Sequence, residues 1–328
     1  MSNLKKSLLL ASICLAFTGT ASAKVYKFAT NIPSDGAPGV LLQEFSDNVK
    51  EKTDGRVKFK IFWNGTLGSQ GDYLKKVQSG VISVGMTNTA TLENIAPEMG
   101  VLNLPYIFRS LDEYSETMFD DTVKAKVDEA LSSKKLNPLG FLSNGFRGIM
   151  TSKEIKTIDD LKGMKIRTMG SDNYIKMLES FGAVPSPMAF SEVYPALQQG
   201  VIDGAEGGVA ALWEIKYGEV TKFGTHTNHT RLSDYVLISD KFKSKVSADD
   251  LKVVFDEFEK VSKKSLSFVD DTMAKSEQIG IEKLGVKINE VDIEPFVEAV
   301  QPMYQNALND PKKKDLLNVI FALQGRDL

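Results

Sequence analysis

Patterns typical of strands alternate with patterns typical of helices along the chain, and this alternation constrains the fold more than any other feature. A strand-like segment at 25–29 is followed by apolar residues at helical spacing from 41 to 49, and then by an alternating strand at 57–63. Parallel strands need a crossover between them, and a helix usually supplies it. The chain is therefore predicted to have an α/β fold with largely parallel sheets.

One joint between a helix and a strand occurs twice, 120 residues apart. Residues 77–85 read VQSGVISVG, and residues 197–205 read LQQGVIDGA. In each segment a helix ends, a glycine can adopt the left-handed cap conformation, and a strand begins. Either the match is a coincidence or the chain has two similar α/β lobes. A cleft between two lobes is a common site for a small ligand.

Residues 1–23 have the pattern of a secretory signal peptide. Lys5 and Lys6 precede a largely apolar run at 8–17, and a small-residue cleavage pattern ends at Ala23. The run is shorter than a membrane span, so a membrane anchor is the less favoured alternative. We expect cleavage after Ala23 and a protein located in the periplasm.

Removal of this segment changes what the composition implies. Of the 328 residues, 305 would remain, and none would be a cysteine because the single Cys14 lies in the apolar run. A chain without cysteine has no disulfide framework and no thiolate zinc site, and it suits an oxidising compartment. Its 38 basic residues against 43 acidic ones speak against a nucleic-acid partner, and its length suggests about two domains.

The search for catalytic motifs is negative. The sequence has no Gly-x-Ser-x-Gly motif, no phosphate-binding P-loop and no paired zinc-ligand motif. His226 and His229 have a spacing that would place both on one face of a helix, but no third ligand lies near them in the sequence. We expect a structural polar role for this pair, no metal, no cofactor and no enzymatic activity.

The last third of the chain is predicted to be mainly helical. Ser247 and Asp250 form a capping pattern, and apolar residues recur at helical spacing after them. No proline occurs between 248 and 294, so one long helix is expected from about residue 248 towards 279, with Gly280 as its stop. Such a helix would brace both lobes.

Two arginines are the main candidates for ligand contacts. Arg147 lies within the strand-like segment 145–150, and Arg167 ends the segment 161–167. In open parallel sheets the ligand crevice lies beyond the carboxyl ends of the strands, where a guanidinium matches the geometry of a carboxylate or another oxyanion. The alternative, slightly favoured by composition alone, is a structural salt bridge from each arginine to a neighbouring acid.

A longer stretch favours the ligand-binding interpretation. Residues 187–206 read PMAFSEVYPALQQGVIDGAE and resemble the signature of the extracytoplasmic solute-binding proteins of tripartite ATP-independent periplasmic (TRAP) transporters, the family named for dicarboxylate binding. The similarity continues at 160–167, 216–220 and 227–229, and it includes NGTLG at 64–68. It extends over essentially the whole mature chain, with several motifs in the family's order and spacing.

The resemblance implies a set of ligand-binding residues. The arginine that follows Leu-Lys-Gly-x-Lys-Ile, here Arg167, would bind the ligand carboxylate bidentately, and Arg147 would add a contact. Phe190 would line the pocket, and Glu206 matches the acid of the family's Asp-Gly-x-Glu-Asn motif. The contacts that form when the lobes close would come from three residues of the first lobe: Asn31, Asn88 and Gln70.

The sequence departs from the family in two places. Gly207, followed by Gly208, replaces the asparagine that usually follows the acid of this motif, so an amide beside Arg167 is missing. Trp213 is a candidate to fill the space, and a core position is an equally good interpretation of it. The segment GSQGD at 68–72 replaces the acidic and basic residues that family members commonly have there, so the specificity contacts far from the carboxylate are expected to differ.

The resemblance further implies a two-lobed periplasmic binding protein fold with the ligand cleft between the lobes. We expect lobe I to contain residues 24–144 and 233–272, and lobe II to contain residues 145–232 and 273–328. The protein would be a monomer that captures a small organic anion (a sugar acid, dicarboxylate, keto acid or sulfonate) and delivers it to a TRAP membrane permease. The alternatives are a binding protein of another transporter class and a secreted hydrolase.

Overall fold

The structure is a computed structural model that describes residues 24–326. The predicted signal peptide and its cleavage site after Ala23 lie outside the described residues. Between residues 24 and 326, no helix combines the length and the apolar character needed to cross a membrane.

Strands and helices alternate along the described chain. Residues 24–326 contain nine strands: β1 (Lys24–Ala29), β2 (Val57–Phe62), β3 (Val84–Asn88), β4 (Asn137–Thr151), β5 (Lys165–Thr168), β6 (Val184–Pro187), β7 (Gly204–Gly207), β8 (Phe223–Ile238) and β9 (Lys287–Glu290). The same residues contain thirteen α-helices: α1 (Ala37–Lys52), α2 (Gln70–Gln78), α3 (Thr89–Glu93), α4 (Leu111–Phe119), α5 (Asp121–Ser132), α6 (Asp172–Ser180), α7 (Val193–Gln198), α8 (Ala211–Glu214), α9 (Asp240–Lys245), α10 (Ala248–Leu284), α11 (Glu294–Ala299), α12 (Gln301–Asn309) and α13 (Pro311–Leu323).

The sheet consists of two similar halves. Its strand order is β2-β1-β3-β8-β4-β7-β5-β6, and β9 pairs with β8. In each half three strands are parallel, β2-β1-β3 and β6-β5-β7, and the fourth strand, β8 or β4, runs antiparallel to its neighbour. The predicted two-lobed α/β fold is confirmed. The parallel pairing lies within the lobes, whereas the two longest strands are antiparallel to each other.

The repeated helix–glycine–strand joint occupies the same place in both halves. It connects α2 to β3 in the first lobe and α7 to β7 in the second. Gly80 and Gly200 both have positive φ angles, 70° and 67°. In both segments the strand begins four residues after the glycine, at Val84 and at Gly204. The strand predicted from residue 81 begins at Val84 because residues 81–83 form a bend. The similarity of the two segments therefore reflects two lobes of the same topology.

Two long strands, β4 and β8, carry the sheet from one lobe to the other. Their pairing shifts register between Ser143 and Phe146, so β4 carries an extra residue at the crossing. Gly145 lies in this bulge with a φ of 71°. A Cβ atom there would lie 2.3 Å from the Met273 sulfur, so a glycine is required both by the backbone and by the close approach of α10.

The long helix α10 braces both lobes, as predicted. Near its start Glu257 accepts a hydrogen bond from Lys52 of α1 at 2.5 Å. In its middle the Ser262 hydroxyl donates to the Phe141 carbonyl of β4 at 2.5 Å. Farther along, the Ser276 hydroxyl donates to Glu214 of α8 at 2.9 Å. The helix thus contacts the first lobe, the crossing strands and the second lobe in turn.

The predicted end of this helix at Gly280 is wrong. The helix continues to Leu284, and Gly285 follows it in the left-handed conformation with a φ of 63°. Gly280 has an ordinary helical backbone, and a Cβ atom on it would lie 3.5 Å from the Trp213 Cβ and 3.4 Å from Val286. Gly280 is therefore a packing position, and the residue that ends the helix comes five positions later.

The last helices return to the segment that follows β3. The Tyr304 hydroxyl of α12 donates to the Pro105 carbonyl at 2.6 Å. The Gln324 amide, just after α13, donates to the Ile107 carbonyl at 2.9 Å. Residues from 301 onward are thus held against the chain between β3 and β4. The lobe boundaries at 144/145, 232/233 and 272/273 stay a prediction.

Candidate functional site

Three charged side chains of the second lobe meet at the strand ends. Arg167 lies in β5 and Glu206 in β7, and these neighbouring parallel strands pair Arg167 with Ala205. Glu206 in turn is paired with Ile149 of β4, two residues after Arg147. The carboxyl ends of the parallel strands β5 and β7 lie at one edge of the sheet, which places Arg167 beside Glu206. The antiparallel pairing of β4 with β7 then brings Arg147 to the same glutamate.

Arg147 and Glu206 form a buried ion pair. Arg147 Nη2 lies 2.8 Å from Glu206 Oε2, and Arg147 Nε donates to the same oxygen at 2.9 Å. The arginine is 7% exposed and the glutamate 1%. Burial alone would raise the pKa of Glu206, but Arg147, His229 and Arg167 outweigh burial and lower that pKa to about 2. The sequence did not decide whether Arg147 forms a structural salt bridge, and the structure shows that it forms one with Glu206.

Glu206 also contacts the polar side chains around it. Its Oε1 accepts from the Thr168 hydroxyl at 3.3 Å, and its Oε2 lies 3.6 Å from His229 Nε2. His229 Nδ1 is 2.7 Å from the Thr227 hydroxyl, and burial lowers the pKa of His229. The histidine is therefore a neutral, structural neighbour of the glutamate, in agreement with the polar role expected for it.

The helical placement considered for the two histidines is wrong, because both lie in strand β8. His226 Nε2 contacts Glu277 of α10 at 3.1 Å, whereas His229 faces Glu206. Within residues 24–326, no group of three or more potential metal-ligating side chains is close enough to hold a metal ion.

Arg167 differs from Arg147 because, among the described residues, no carboxylate forms a salt bridge with it. Its Nε and Nη2 donate to the Met188 carbonyl at 3.3 and 3.0 Å. The side chain is only 6% exposed, yet within the described chain no carboxylate oxygen lies within 4.0 Å of it. Burial is the largest influence and lowers the pKa of Arg167. The guanidinium is thus held in place by a neutral acceptor and keeps further N–H donors for another anion.

The first-lobe candidates lie at the corresponding strand ends. Asn88 is the last residue of β3, and Asn31 comes two residues after β1, its parallel neighbour. Asn88 is buried, and Asn31 is half-buried. Their positions match those of Arg167 and Glu206 in the second lobe, because the two halves of the sheet have the same strand order.

Two of these candidates already have hydrogen-bond partners in the protein. Gln70 Oε1 accepts from the hydroxyls of Thr87 and Thr91 at 2.9 and 2.8 Å. Asn88 Oδ1 caps α3 by accepting from the Thr91 N–H at 2.8 Å, and Asn88 Nδ2 lies 3.4 Å from the Met169 sulfur across the cleft. Their acceptor atoms are therefore occupied, and the roles of Asn31, Asn88 and Gln70 in binding a ligand stay predictions.

Methionines, rather than Trp213, lie beside Gly207, which stands at the position of the family's asparagine, and beside Gly208. A Cβ atom on Gly207 would lie 3.2 Å from Met150 Cε and 3.6 Å from Arg147 Nη2. A Cβ atom on Gly208 would lie 2.9 Å from Met273 Cε. Trp213 packs instead beside Gly280 of α10, with the Lys216 ammonium 4.2 Å from its ring centroid.

Phe190 lies in a short 3₁₀ turn after β6. The turn starts with a hydrogen bond from the Ala189 N–H to the Glu192 carboxylate at 2.8 Å. The Phe190 side chain is 42% exposed, in contrast to the core phenylalanines of the protein. It therefore keeps apolar surface that a ligand or the opposite lobe can cover.

Sequence reasoning missed Asp234 and its partner Asn144. Asp234 lies in β8, is 3% exposed, and accepts a hydrogen bond from Asn144 Nδ2 at 2.6 Å. Burial raises the pKa of Asp234 to about 6, although Asn144 and Arg147 act in the opposite direction. The sequence contains one signal for this acid, its position directly before the apolar run YVLI at 235–238. An acid in apolar surroundings is rarely buried unless it has a partner.

Comparisons with known proteins agree with the geometry. The model of a family described as bacterial extracellular solute-binding protein, family 7, matches residues 28–310. The 2,3-diketo-L-gulonate-binding periplasmic protein YiaO of Escherichia coli (strain K12) is 27% identical over 322 residues, which are 97% of this chain and 98% of that protein.

Two solved structures are similar over nearly their whole length. A TRAP periplasmic solute-binding protein from Chromohalobacter salexigens with bound D-glucuronate has a TM-score of 0.87 and 30% identity, covering 91% of this chain and 99% of its own. One from Sulfitobacter sp. NAS-14.1 with bound β-D-galacturonate has a TM-score of 0.86 and 30% identity, covering 90% and 99%. The chain is thus similar to TRAP periplasmic solute-binding proteins that have sugar acids bound.

Proposed function

Because this chain belongs to bacterial extracellular solute-binding protein family 7, we propose that it captures a hydroxylated carboxylate in its cleft and delivers it to a TRAP membrane permease. The family consists of solute-binding proteins and not of enzymes, and its members bind small anionic solutes for membrane permease subunits. For this chain we propose a monomer in the periplasm, released by cleavage after Ala23. The bound solute leaves chemically unchanged.

The observation that carries the proposal is the unpaired charge of Arg167. A buried guanidinium without an anionic partner is costly, and an anion that supplies two charge-assisted hydrogen bonds offsets this cost. Arg147 lies nearby but is already neutralised by Glu206 at 2.8 Å. Arg167 is therefore the main partner of the ligand carboxylate, and Arg147 adds a weaker contact through its remaining N–H donors.

The class of ligand follows from the relatives and from the chemistry of the site. The relatives named above bind 2,3-diketo-L-gulonate, D-glucuronate and β-D-galacturonate, which are all acids with several oxygen substituents. We therefore propose a sugar acid for this chain. A sulfonate has similar oxygens, but none of these relatives holds one.

Closure of the lobes provides the signal that the permease recognises. Ligand binding favours the closed form only through contacts that are made in that form. On the second lobe, Arg167 and Phe190 line the cleft. On the first lobe, the residues that line it are Asn31, Asn88 and Gln70. In this mechanism β4, β8 and α10 act as the connections about which the lobes move.

Arg167→Ala tests the proposal. We expect the affinity for D-glucuronate or β-D-galacturonate, measured by isothermal titration calorimetry, to fall at least about 100-fold, because two hydrogen bonds to a charged group are lost. Arg147→Ala is expected to weaken binding less. Arg109→Ala, which removes an exposed arginine before α4, is the matched control and keeps wild-type affinity.

Retention of wild-type affinity by Arg167→Ala would refute the assignment of the ligand carboxylate to this residue. A larger loss from Arg147→Ala would reverse the order of the two arginines. Recovery of the unchanged sugar acid after prolonged incubation, followed by NMR, separates the binding protein from the hydrolase alternative. Appearance of a hydrolysis product would favour the enzyme.

A further inference from the structure

Asp234 lies where the two lobes meet. In the strand pairing it is directly opposite Asn88, the last residue of β3, and also opposite Leu142 of β4, just before the bulge. Directly opposite residues of antiparallel strands point to the same face, so the side chains of Asp234 and Asn88 share a face of the sheet. The carboxylate is also near enough to the Arg147 guanidinium for each group to shift the pKa of the other.

This carboxylate has hydrogen-bonding capacity that the protein does not use. An ionised carboxylate accepts about four hydrogen bonds. Among residues 24–326, Asn144 is the one donor within hydrogen-bond distance of Asp234, although the side chain is 3% exposed. A buried acid with one donor destabilises the fold compared with an apolar residue, so folding alone does not account for an acid at this position.

The side-chain oxygens of two neighbouring amide residues already accept hydrogen bonds from the protein itself. The Asn88 oxygen caps α3, and the Gln70 oxygen accepts from two threonine hydroxyls. Asp234 is therefore a charged acceptor with spare capacity on the first-lobe side, and Arg167 is a cation with spare donors on the second-lobe side. A ligand that satisfies both carries an anionic group and, separately from it, hydroxyl donors.

We propose that Asp234, oriented by Asn144, is the subsite that binds the hydroxyl groups of the ligand. This inference rests on the proposed function and narrows its substrate class to polyhydroxy monocarboxylates. Hydrogen bonds from hydroxyls to a carboxylate are short and strong because the acceptor is charged. A second carboxylate of a dicarboxylate, placed at this subsite, is repelled by the like charge of Asp234.

Asp234→Asn tests the subsite with two matched probes. D-glucuronate carries a carboxylate and ring hydroxyls, whereas tetrahydropyran-2-carboxylate has the same six-membered ring and carboxylate without hydroxyls. We expect the variant to bind D-glucuronate about 10- to 100-fold more weakly than the wild type, because hydrogen bonds to a charged acceptor are lost. The affinity for the hydroxyl-free acid stays the same or rises, because a like charge is removed.

Two further variants keep the test decisive. Asp256→Asn removes an acid from the exposed face of α10 and controls for the change in net charge, so it retains wild-type affinities. Asn144→Ala leaves the acid in place but removes the donor that orients it, and we expect a smaller loss for D-glucuronate alone. This second variant provides the answer if Asp234→Asn does not fold.

The outcomes separate the inference from the function on which it rests. If Asp234→Asn binds D-glucuronate as tightly as the wild type, the hydroxyl subsite is refuted, while a loss in Arg167→Ala still supports the proposed function. An equal loss for both probes also refutes it, since the hydroxyls would then play no part. If the wild type binds neither D-glucuronate nor β-D-galacturonate, both proposals fail.

Discussion

Glu206→Gln separates the structural part of the arginine cluster from the part that binds ligand. The substitution keeps the shape of the side chain and removes its charge. Arg147, only 7% exposed, then loses its ionic partner. The protein is expected to be less stable. Arg167, which has no acid within salt-bridge distance among the described residues, keeps its hydrogen bonds to the Met188 carbonyl and loses only a longer-range attraction to Glu206.

The size of the effect follows from the pKa of the glutamate. That pKa falls from 4.5 to about 2 in the folded protein, with Glu206 fully buried. At about 1.4 kcal/mol per pKa unit, the charged glutamate contributes about 3 kcal/mol to the free energy of unfolding. This agrees with the roughly 3–5 kcal/mol that breaking one side of a buried ion pair costs in other proteins.

The pH dependence provides a second measure of the same contribution. Because the folded-state pKa lies below the unfolded-state pKa, the contribution is complete above pH about 4.5 and disappears as the pH falls towards 2. Wild type and Glu206→Gln are therefore expected to differ at pH 7 and to converge in acid. Urea denaturation followed by circular dichroism, repeated at several pH values, measures the difference.

A matched control distinguishes this pair from an ordinary surface pair. Glu259→Gln removes an acid that pairs with Lys263 on the exposed face of α10, and we expect a change below about 0.5 kcal/mol. If Glu206→Gln is within 1 kcal/mol of the wild type at pH 7, the ion pair does not stabilise the fold. The electrostatic description of the site would then be incorrect.

Three other substitutions test separate features. Gly207→Asn restores the family amide on a Cβ atom that would lie 3.6 Å from Arg147 Nη2, so a thermal-shift screen of sugar acids is expected to give a changed order of ligands, and an unchanged order would show that this position is silent. Gly285→Ala is expected to lower the free energy of unfolding by about 1–2 kcal/mol, because φ is 63° although the space around the Cβ position is open, and no measurable loss would contradict this. Asp234→Asn without ligand is expected to raise the free energy of unfolding by about 3 kcal/mol at pH 7, because the folded-state pKa of the acid is about 6 against 3.8. This gain decreases below pH 6 and is absent below about 3.8, and a gain independent of pH would refute it.

The regular features of the fold were accessible from the sequence because they depend on local patterns. Alternating strand and helix segments predicted the α/β class, and the glycines of the repeated joint adopt the same conformation in both lobes. The long C-terminal helix was predicted from a capping serine and the lack of proline. Its end was misplaced because Gly280 and Gly285 look alike in sequence. In the structure Gly280 packs against Trp213 in an ordinary helical conformation, whereas Gly285 has a φ of 63°.

The chemistry of the site was accessible only in part. The sequence names both arginines and Glu206 as candidates, and the structure places them together. The pairing of Arg147 with Glu206, 59 residues apart, depends on the adjacency of β4 and β7. Nothing local indicates that Arg167, of the same residue type, remains without an acid partner. Asp234 was missed because its distinguishing property is that few donors lie within hydrogen-bond distance of its carboxylate. That property depends on side chains from other strands, whose positions the sequence does not give.

The placement of β8 between β3 and β4 has a consequence for the order in which the chain acquires structure. β3 ends at Asn88, yet its partner residues, Asp234 to Ile238, come about 150 positions later. A nascent or truncated chain that stops after β4 leaves the edges of both strands open to pairing with other chains. Closing such a long loop also slows folding. Neither half of the molecule is thus a self-sufficient folding unit, and premature termination products are expected to aggregate or be degraded instead of surviving as single lobes.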